Sequence, residues 1–332
     1  MKKIAILGAG TWGMALARQL SLGGNEVTVW SALEEEIDCL NTTKNHPNLP
    51  KMQIPSAIGF TKSLEDACGG KDVLLFAVPS VFVRPTAAKV RPFTEEGQII
   101  VDVAKGIEAD TLLTMTQVIR QELQKDLPLV ALSGPTHAEE VALDLPTAIV
   151  SACEDLAAAE QVQGLFSNTC MRVYTNPDTK GVELCGAMKN IIALAAGISA
   201  GLGYGDNTKA ALITRGMAEI TRLGLAMGCQ PQTFAGLAGI GDLIVTATST
   251  HSRNNRAGQL IGQGYSPEVA IKKIGMVVEG INALPAAVKL SSYYRVEMPI
   301  ISAIADVIHH GADPAKTVQR LMDREQRPET VF

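Results

Sequence analysis

Short apolar runs give way to long helical stripes near the middle of the chain. Ile4-Ala5-Ile6-Leu7 is an unbroken apolar run with two β-branched residues, the pattern of a strand buried on both faces. Helix formers follow from Met14 to Leu20. Gly23-Gly24-Asn25 then turns the chain into a second run, Glu26-Val27-Thr28-Val29-Trp30. Further strands are predicted at Lys71–Ser80, stopping at Pro79, and at Gln98–Val103, Leu129–Ser133, Ala148–Ser151 and Arg172–Thr175. His46-Pro47-Asn48-Leu49-Pro50 reads as a loop. Six or more strand–helix units up to about residue 176 predict a doubly wound, largely parallel sheet.

Past Asn176-Pro177-Asp178 the pattern is helical, with no confident strand. Asp178 is placed as the N-cap of a helix to about Ala200, which Gly201 to Gly205 ends. Asn207-Thr208 is placed to cap a helix over Lys209–Met227, closed by Gly228. Ser266-Pro267-Glu268 opens another by the N-cap and proline-at-N1 rule. Stripes over Ala283–Tyr294, Ile301–His310 and Pro314–Arg324 complete the set. The chain therefore reads as α/β: residues 1–176 an N-terminal doubly wound Rossmann-type sheet, residues 177–332 an all-α domain.

Composition narrows the function classes. A length of 332 residues suits two domains, and 46% hydrophobic against 19% charged residues supplies ample core. A net charge of −5 is mild and of the wrong sign for nucleic acid. The six cysteines are scattered without a C-x-x-C, which favours reduced thiols over disulfides and predicts no metal site. Met1-Lys2-Lys3 runs straight into the first strand, so no leader is expected. The most apolar stretch, Ile191 to Gly203, is glycine-rich and shorter than a membrane span. A soluble, cytoplasmic protein is the expectation.

The first strand delivers the chain into Gly8-Ala9-Gly10-Thr11-Trp12-Gly13, which fits G-x-G-x-x-G in the required strand–turn–helix context. Gly8 suits the tight turn, Gly10 lets backbone approach a pyrophosphate, and Gly13 lets helix and strand pack closely. The helix N-terminus so formed favours phosphate. An NAD-selective fold usually ends its second strand with Asp or Glu for the ribose hydroxyls, whereas this chain has Ser31-Ala32. Glu34, Glu35 and Glu36 read as the solvated first turn of a helix. No arginine stands ready for a 2′-phosphate, so the choice between NAD and NADP stays open at this point.

Oxidation of an alcohol by a nicotinamide needs a group to take the hydroxyl proton. The histidines form no constellation. Lys189 is a better candidate, because its helical neighbours Cys185, Gly186, Ile192 and Ala193 are small or apolar. A desolvated ammonium suits a general base, although a snorkelling lysine or a pair with Glu183 fits the same spacing. Asp242 lies alone in the apolar Gly239-Ile240-Gly241-Asp242-Leu243-Ile244. It reads as a helix cap, or as a group that holds a hydroxyl or the lysine. His251-Ser252-Arg253-Asn254-Asn255-Arg256 concentrates guanidinium, hydroxyl and amide donors that match phosphate. Lys105 follows a strand end, and Thr136 with Glu139 has capping-box spacing after Gly134-Pro135.

Taken in order, these motifs resemble the bacterial-type NAD(P)-dependent glycerol-3-phosphate dehydrogenases. The matching stretches are Gly8–Gly13, Ala104-Lys105-Gly106, Ser133-Gly134-Pro135-Thr136, Glu183-Leu184 with Gly186-Ala187 and Lys189-Asn190, Gly241-Asp242-Leu243, Ser252-Arg253-Asn254 and Val277-Val278-Glu279-Gly280. The resemblance implies reversible oxidation of sn-glycerol 3-phosphate at C2 to dihydroxyacetone phosphate, run reductively to supply phospholipid synthesis, by a homodimer. It implies Lys189 as proton acceptor, with Lys105, Gly134, Thr136, Lys189, Asp242, Ser252, Arg253 and Asn254 around the substrate. Gly8, Gly10, Thr11, Trp12, Gly13, Ala32, Lys105, Ala138, Arg253, Val277 and Glu279 are implied at the cofactor, NAD or NADP. The family often carries a basic or imidazole side chain just after the second strand, and Ala32 there argues against strict NADP preference. Two other readings fit less: a 3-hydroxyacid dehydrogenase, whose family spaces lysine and asparagine as K-x-x-N, and a cofactor-sensing regulator, which leaves Lys189, Asp242 and Arg253 unexplained.

Overall fold

The structure is a computed structural model that describes residues 1–326 together with Pro328 and Glu329. The chain divides into two compact units. One comprises Met1–Lys105 and Leu113–Thr179, the other Gly106–Leu112 and the residues from Lys180 onward. The sequence pattern places the change at 176/177. The segment 106–112 joins the second unit because Ile107 sits in that unit's core and the Ala109 carbonyl accepts a bond from Lys289 Nζ at 2.8 Å.

The first unit is built on an eight-stranded sheet. Its strands are β1 (Lys3–Leu7), β2 (Glu26–Trp30), β3 (Gly59–Thr61), β4 (Val73–Phe76), β5 (Ile99–Asp102), β6 (Leu129–Ser133), β7 (Thr147–Ala152) and β8 (Met171–Asn176). Their order is β3-β2-β1-β4-β5-β6-β7-β8. Every pairing is parallel except β6 with β7. Alternation along β1 shows why the run is unbroken. Ile4 and Ile6 enter one apolar layer with Met14, Leu16 and Leu20, while Ala5 and Leu7 enter the opposite layer with Leu74 and Phe76. Both faces are covered, as a doubly wound sheet requires. The sheet adds one strand absent from the sequence reading, β3, a three-residue piece at the edge beside β2.

The second unit is helical among its described residues. Thr179–Gly201 is long and apolar enough to cross a membrane, yet 89% of its most apolar window is buried, so it serves as the central core helix. Around it run Asp206–Ala226, Asp242–Thr248, Arg253–Gly262, Pro267–Ile274, Glu279–Tyr294, Pro299–His310 and Pro314–Met322. Three starts differ from the sequence pattern, the smallest change being Pro299 for the expected Ile301. Gly205 takes the extended N-cap conformation, so that helix begins at Asp206, ahead of the expected Asn207-Thr208 cap. The helix expected from Ala283 begins a turn earlier at Glu279, with Pro285 accommodated inside it. Ser266 caps its helix as expected, its hydroxyl accepting from Val269 N.

Candidate active site

Within the first unit, β1 passes through Gly8 into the helix Thr11–Leu22. Gly8 has φ +127°, which a side chain rarely adopts, and a Cβ there would stand 2.6 Å from the Ala77 carbonyl oxygen. A Cβ on Gly13 would lie 2.1 Å from the Gly8 oxygen, so the helix can seat on the strand only with glycine. Gly10, the N-cap, faces open space and gives the helix no side-chain cap. This cradle fits a dinucleotide pyrophosphate: its helix-end N–H groups are offered to a ligand, and Thr11 and Trp12 stand half-buried beside them. His46 props the loop from beneath. Its Nε2 lies 3.1 Å from the Ala9 carbonyl oxygen while Nδ1 accepts from Asn48 N, which fixes the neutral Nε2–H tautomer. Burial holds the imidazole below its ordinary pKa of 6.5, against the raising effect of the Ala9 bond.

Three of the predicted substrate residues converge at the ends of β5 and β6. Lys105 Nζ donates to the Gly134 carbonyl at 3.0 Å, and the Thr136 hydroxyl donates to the same oxygen at 3.2 Å. The capping-box expectation for Thr136 and Glu139 does not hold. The helix there is only Ala138–Val141, its N-cap is His137, and the Thr136 hydroxyl is spent on Gly134. Ala138 is buried in the sheet's apolar layer, while Ala32 is exposed beyond the end of β2.

Within the second unit, Lys189 projects from the core helix and is 5% exposed. Its Nζ donates to Asp242 Oδ1 at 2.8 Å and to Thr246 Oγ1 at 2.5 Å. Asp242 is fully buried. It opens the helix Asp242–Thr248 directly after a widened π-type turn, Leu237–Gly241, of the kind that recurs at functional sites. The lysine therefore pairs with Asp242, as one of the two readings of that acid has it. Thr246, four residues on, donates to the Asp242 carbonyl at 2.7 Å and completes the arrangement. Sequence reasoning passed over Thr246, although the i,i+4 spacing from Asp242 puts both on one helix face.

A second polar network fixes the neighbouring segments. Asn254 Nδ2 donates to Asn190 Oδ1 at 2.9 Å, and Gly280 N donates to Asn254 Oδ1 at 2.8 Å. Asn190 in turn donates to the Gly186 carbonyl, one turn back on its own helix. Asn254 is buried, and these bonds make it a brace between the core helix and the start of Glu279–Tyr294. Ser252 is also buried and caps Arg253–Gly262 by accepting from Asn255 N at 3.2 Å. Arg253 is exposed, with Nη1 3.4 Å from the Val277 carbonyl oxygen, and Glu279 is half-buried. Lys189, Asp242, Ser252, Arg253, Asn254, Val277 and Glu279 thus fall into one connected region of this unit. Among the described residues no group of three metal-ligating side chains forms.

Comparison with known proteins agrees with this geometry. Residues 3–159 match the model for the NAD-dependent glycerol-3-phosphate dehydrogenase N-terminus, and residues 178–319 match that for the C-terminus. The chain is 64% identical over 334 aligned positions to glycerol-3-phosphate dehydrogenase [NAD(P)+] 2 of Lactobacillus delbrueckii subsp. bulgaricus, covering 99% of each chain. It is 49% identical to glycerol-3-phosphate dehydrogenase [NAD(P)+] of Bacillus subtilis, covering 98% of this chain and 95% of the relative. The crystal structure of glycerol-3-phosphate dehydrogenase from Coxiella burnetii superposes with a TM-score of 0.93 at 35% identity, covering 97% of this chain and 99% of that one. The chain belongs to the NAD-dependent glycerol-3-phosphate dehydrogenase family.

Proposed function

We propose that this protein interconverts sn-glycerol 3-phosphate and dihydroxyacetone phosphate with NAD(H) or NADP(H). The observation that carries the reading is the buried Lys189 ammonium, held by Asp242 at 2.8 Å and Thr246 at 2.5 Å. The glycine cradle Gly8–Gly13 holds the dinucleotide, which supplies the hydride acceptor or donor. Lys189 Nζ gives a proton to the C2 oxygen in reduction and takes it back in oxidation. Asp242 fixes the ammonium in position, and Thr246 accepts another of its hydrogens. Arg253 and the N-terminal end of Arg253–Gly262 take the phosphate, a planar fork matching two of its oxygens. Asn254 acts through the backbone it braces.

The test is loss of reduced-nicotinamide absorbance with dihydroxyacetone phosphate and, separately, with unphosphorylated dihydroxyacetone. Turnover of the phosphate ester far above that of the free ketone is expected. Absence of turnover on the ester with either cofactor would refute the reading. The physiological direction follows as reduction, in the cytoplasm, supplying glycerol phosphate to phospholipid synthesis. A homodimer is the proposed assembly, and sedimentation of the purified chain checks it.

A further inference from the structure

We infer that Glu36 sets dinucleotide choice in this chain, receiving the adenosine ribose hydroxyls and excluding a 2′-phosphate, so that NAD(H) binds in preference to NADP(H). The inference deepens the dehydrogenase reading and rests on it. The end of β2 abuts the glycine cradle, because the Trp30 carbonyl accepts Gly8 N at 2.7 Å. In doubly wound dinucleotide folds an acid near this strand end takes the ribose 2′-hydroxyl. Ser31 and Ala32 supply none, but the fold brings one back from the helix Glu34–Thr43. Ser31 Oγ donates to Glu36 Oε2 at 2.5 Å and accepts from Leu33 N at 3.1 Å.

The three acids of that first turn are not equivalent. Lys62 engages Glu34 at 3.3 Å and Asp38 at 2.8 Å. Glu35 is exposed. Glu36 alone of the three turns inward, half-buried, onto a serine that is itself 6% exposed. It is tied to the cradle. The direct tie is Ser31, next to Trp30; beyond it, the Glu36 charge reaches His46, whose ring meets the Ala9 carbonyl, without a direct contact. Glu36 Oε1 has no protein partner among the described residues and can accept a ribose hydroxyl. A 2′-phosphate carries about −1.5 to −2 charge and would face a fixed carboxylate. Ala32 offers it no cation, and Lys62 is already shared by two carboxylates.

Calorimetric titration of the full-length protein with ADP-ribose and with 2′-phospho-ADP-ribose isolates this subsite, since neither ligand can turn over. Wild type is expected to bind ADP-ribose about 30-fold more tightly, the scale of a like-charge clash. Glu36→Gln keeps the shape and should bring the ratio below about threefold. Ser31→Ala releases the carboxylate and should weaken ADP-ribose severalfold without improving the phosphorylated ligand. Equal affinities in wild type, or an unchanged ratio in Glu36→Gln, would overturn the inference. If wild type binds both equally and still reduces dihydroxyacetone phosphate, only this inference falls. If it binds neither, the dehydrogenase reading falls with it.

Discussion

The Lys189–Asp242 pair makes stability and activity separable. At 2.8 Å the two charges attract by about 6 kcal/mol at an effective dielectric of about 20. Both side chains are almost wholly buried, 6% and 1% exposed, so desolvation costs several kcal/mol for each ion and leaves the net contribution near zero. Removing one partner is another matter, because it strands a buried charge, at about 3–5 kcal/mol. Lys189→Met and Asp242→Asn should each lose stability on that scale. The double variant, carrying neither charge, should recover to within about 2 kcal/mol of wild type. A coupling of at least ~4 kcal/mol should therefore appear in the double-mutant cycle, read by equilibrium urea unfolding. Activity should not follow. Lys189→Met should lose about 10²–10⁴-fold in kcat, and the double variant should be no better. Additive stability losses would refute the pairing argument. A Lys189→Met enzyme keeping more than about a tenth of kcat would remove Lys189 from proton transfer.

Three further outcomes follow from named contacts. Thr246→Val removes an acceptor 2.5 Å from the Lys189 ammonium and should cost about 1–3 kcal/mol of stability and lower kcat more than it raises KM; a KM-only effect would count against a positioning role. Arg253→Lys should be severely impaired on dihydroxyacetone phosphate at saturating cofactor, and Arg253→Leu more so, while rates on unphosphorylated dihydroxyacetone hardly change; equal damage on both ketones would exclude Arg253 as the phosphate ligand. Glu219 is pushed up from 4.5 to about 7 by burial, against the bonds it accepts from Ile300 N and Ile301 N. The native state favours its protonated form, so its contribution is full below 4.5 and is lost as pH rises towards about 7, on the order of 3 kcal/mol. Glu219→Gln should flatten the fall in Tm over that window and be the less stable protein at its acid end; parallel Tm profiles would refute it.

The strands were legible because a parallel strand covered on both faces must be apolar at every position, and Val73–Phe76 and Ile99–Ile100 satisfy that without help from context. β3 was not, because Gly59-Phe60-Thr61 is too short for any run and pairs only at the sheet edge. Lys189 stood out since Cys185, Ile192 and Ala193 around a cation are unlike the neighbours of a solvated face. Its partner's identity needed the fold, for Asp242 lies 53 positions away. Asn254 shows the limit more sharply. The motif marks it as a substrate residue, yet both ends of its amide are bonded to Asn190, 64 positions distant, and Gly280, 26 positions distant. Glu36 looked like its two neighbours, and only the return of the helix onto Ser31 distinguishes it.

The placement of Arg253 relative to Lys189 depends on residues that have no side chain at all. The core helix and Arg253–Gly262 meet backbone to backbone. A Cβ on Gly197 would stand 2.1 Å from the Asn255 oxygen, and one on Gly258 would stand 2.2 Å from the Leu194 oxygen. Gly201 and Gly262, each one turn further on, are as tightly engaged, at 2.3 Å from the Gln259 and Ile198 oxygens. Such spacing fixes register as well as distance, since sliding one helix by a residue would drive side chains into carbonyls. The asparagine bridge from Asn190 to Asn254 then sits beside Lys189 on one helix and Arg253 on the other, and sets the rotation of each. A substrate of three carbons and one phosphate has little apolar surface, so its C2 can be aligned only through its charged end. The rigid glycine seam is what would let binding energy gathered at Arg253 be spent on orientation at Lys189.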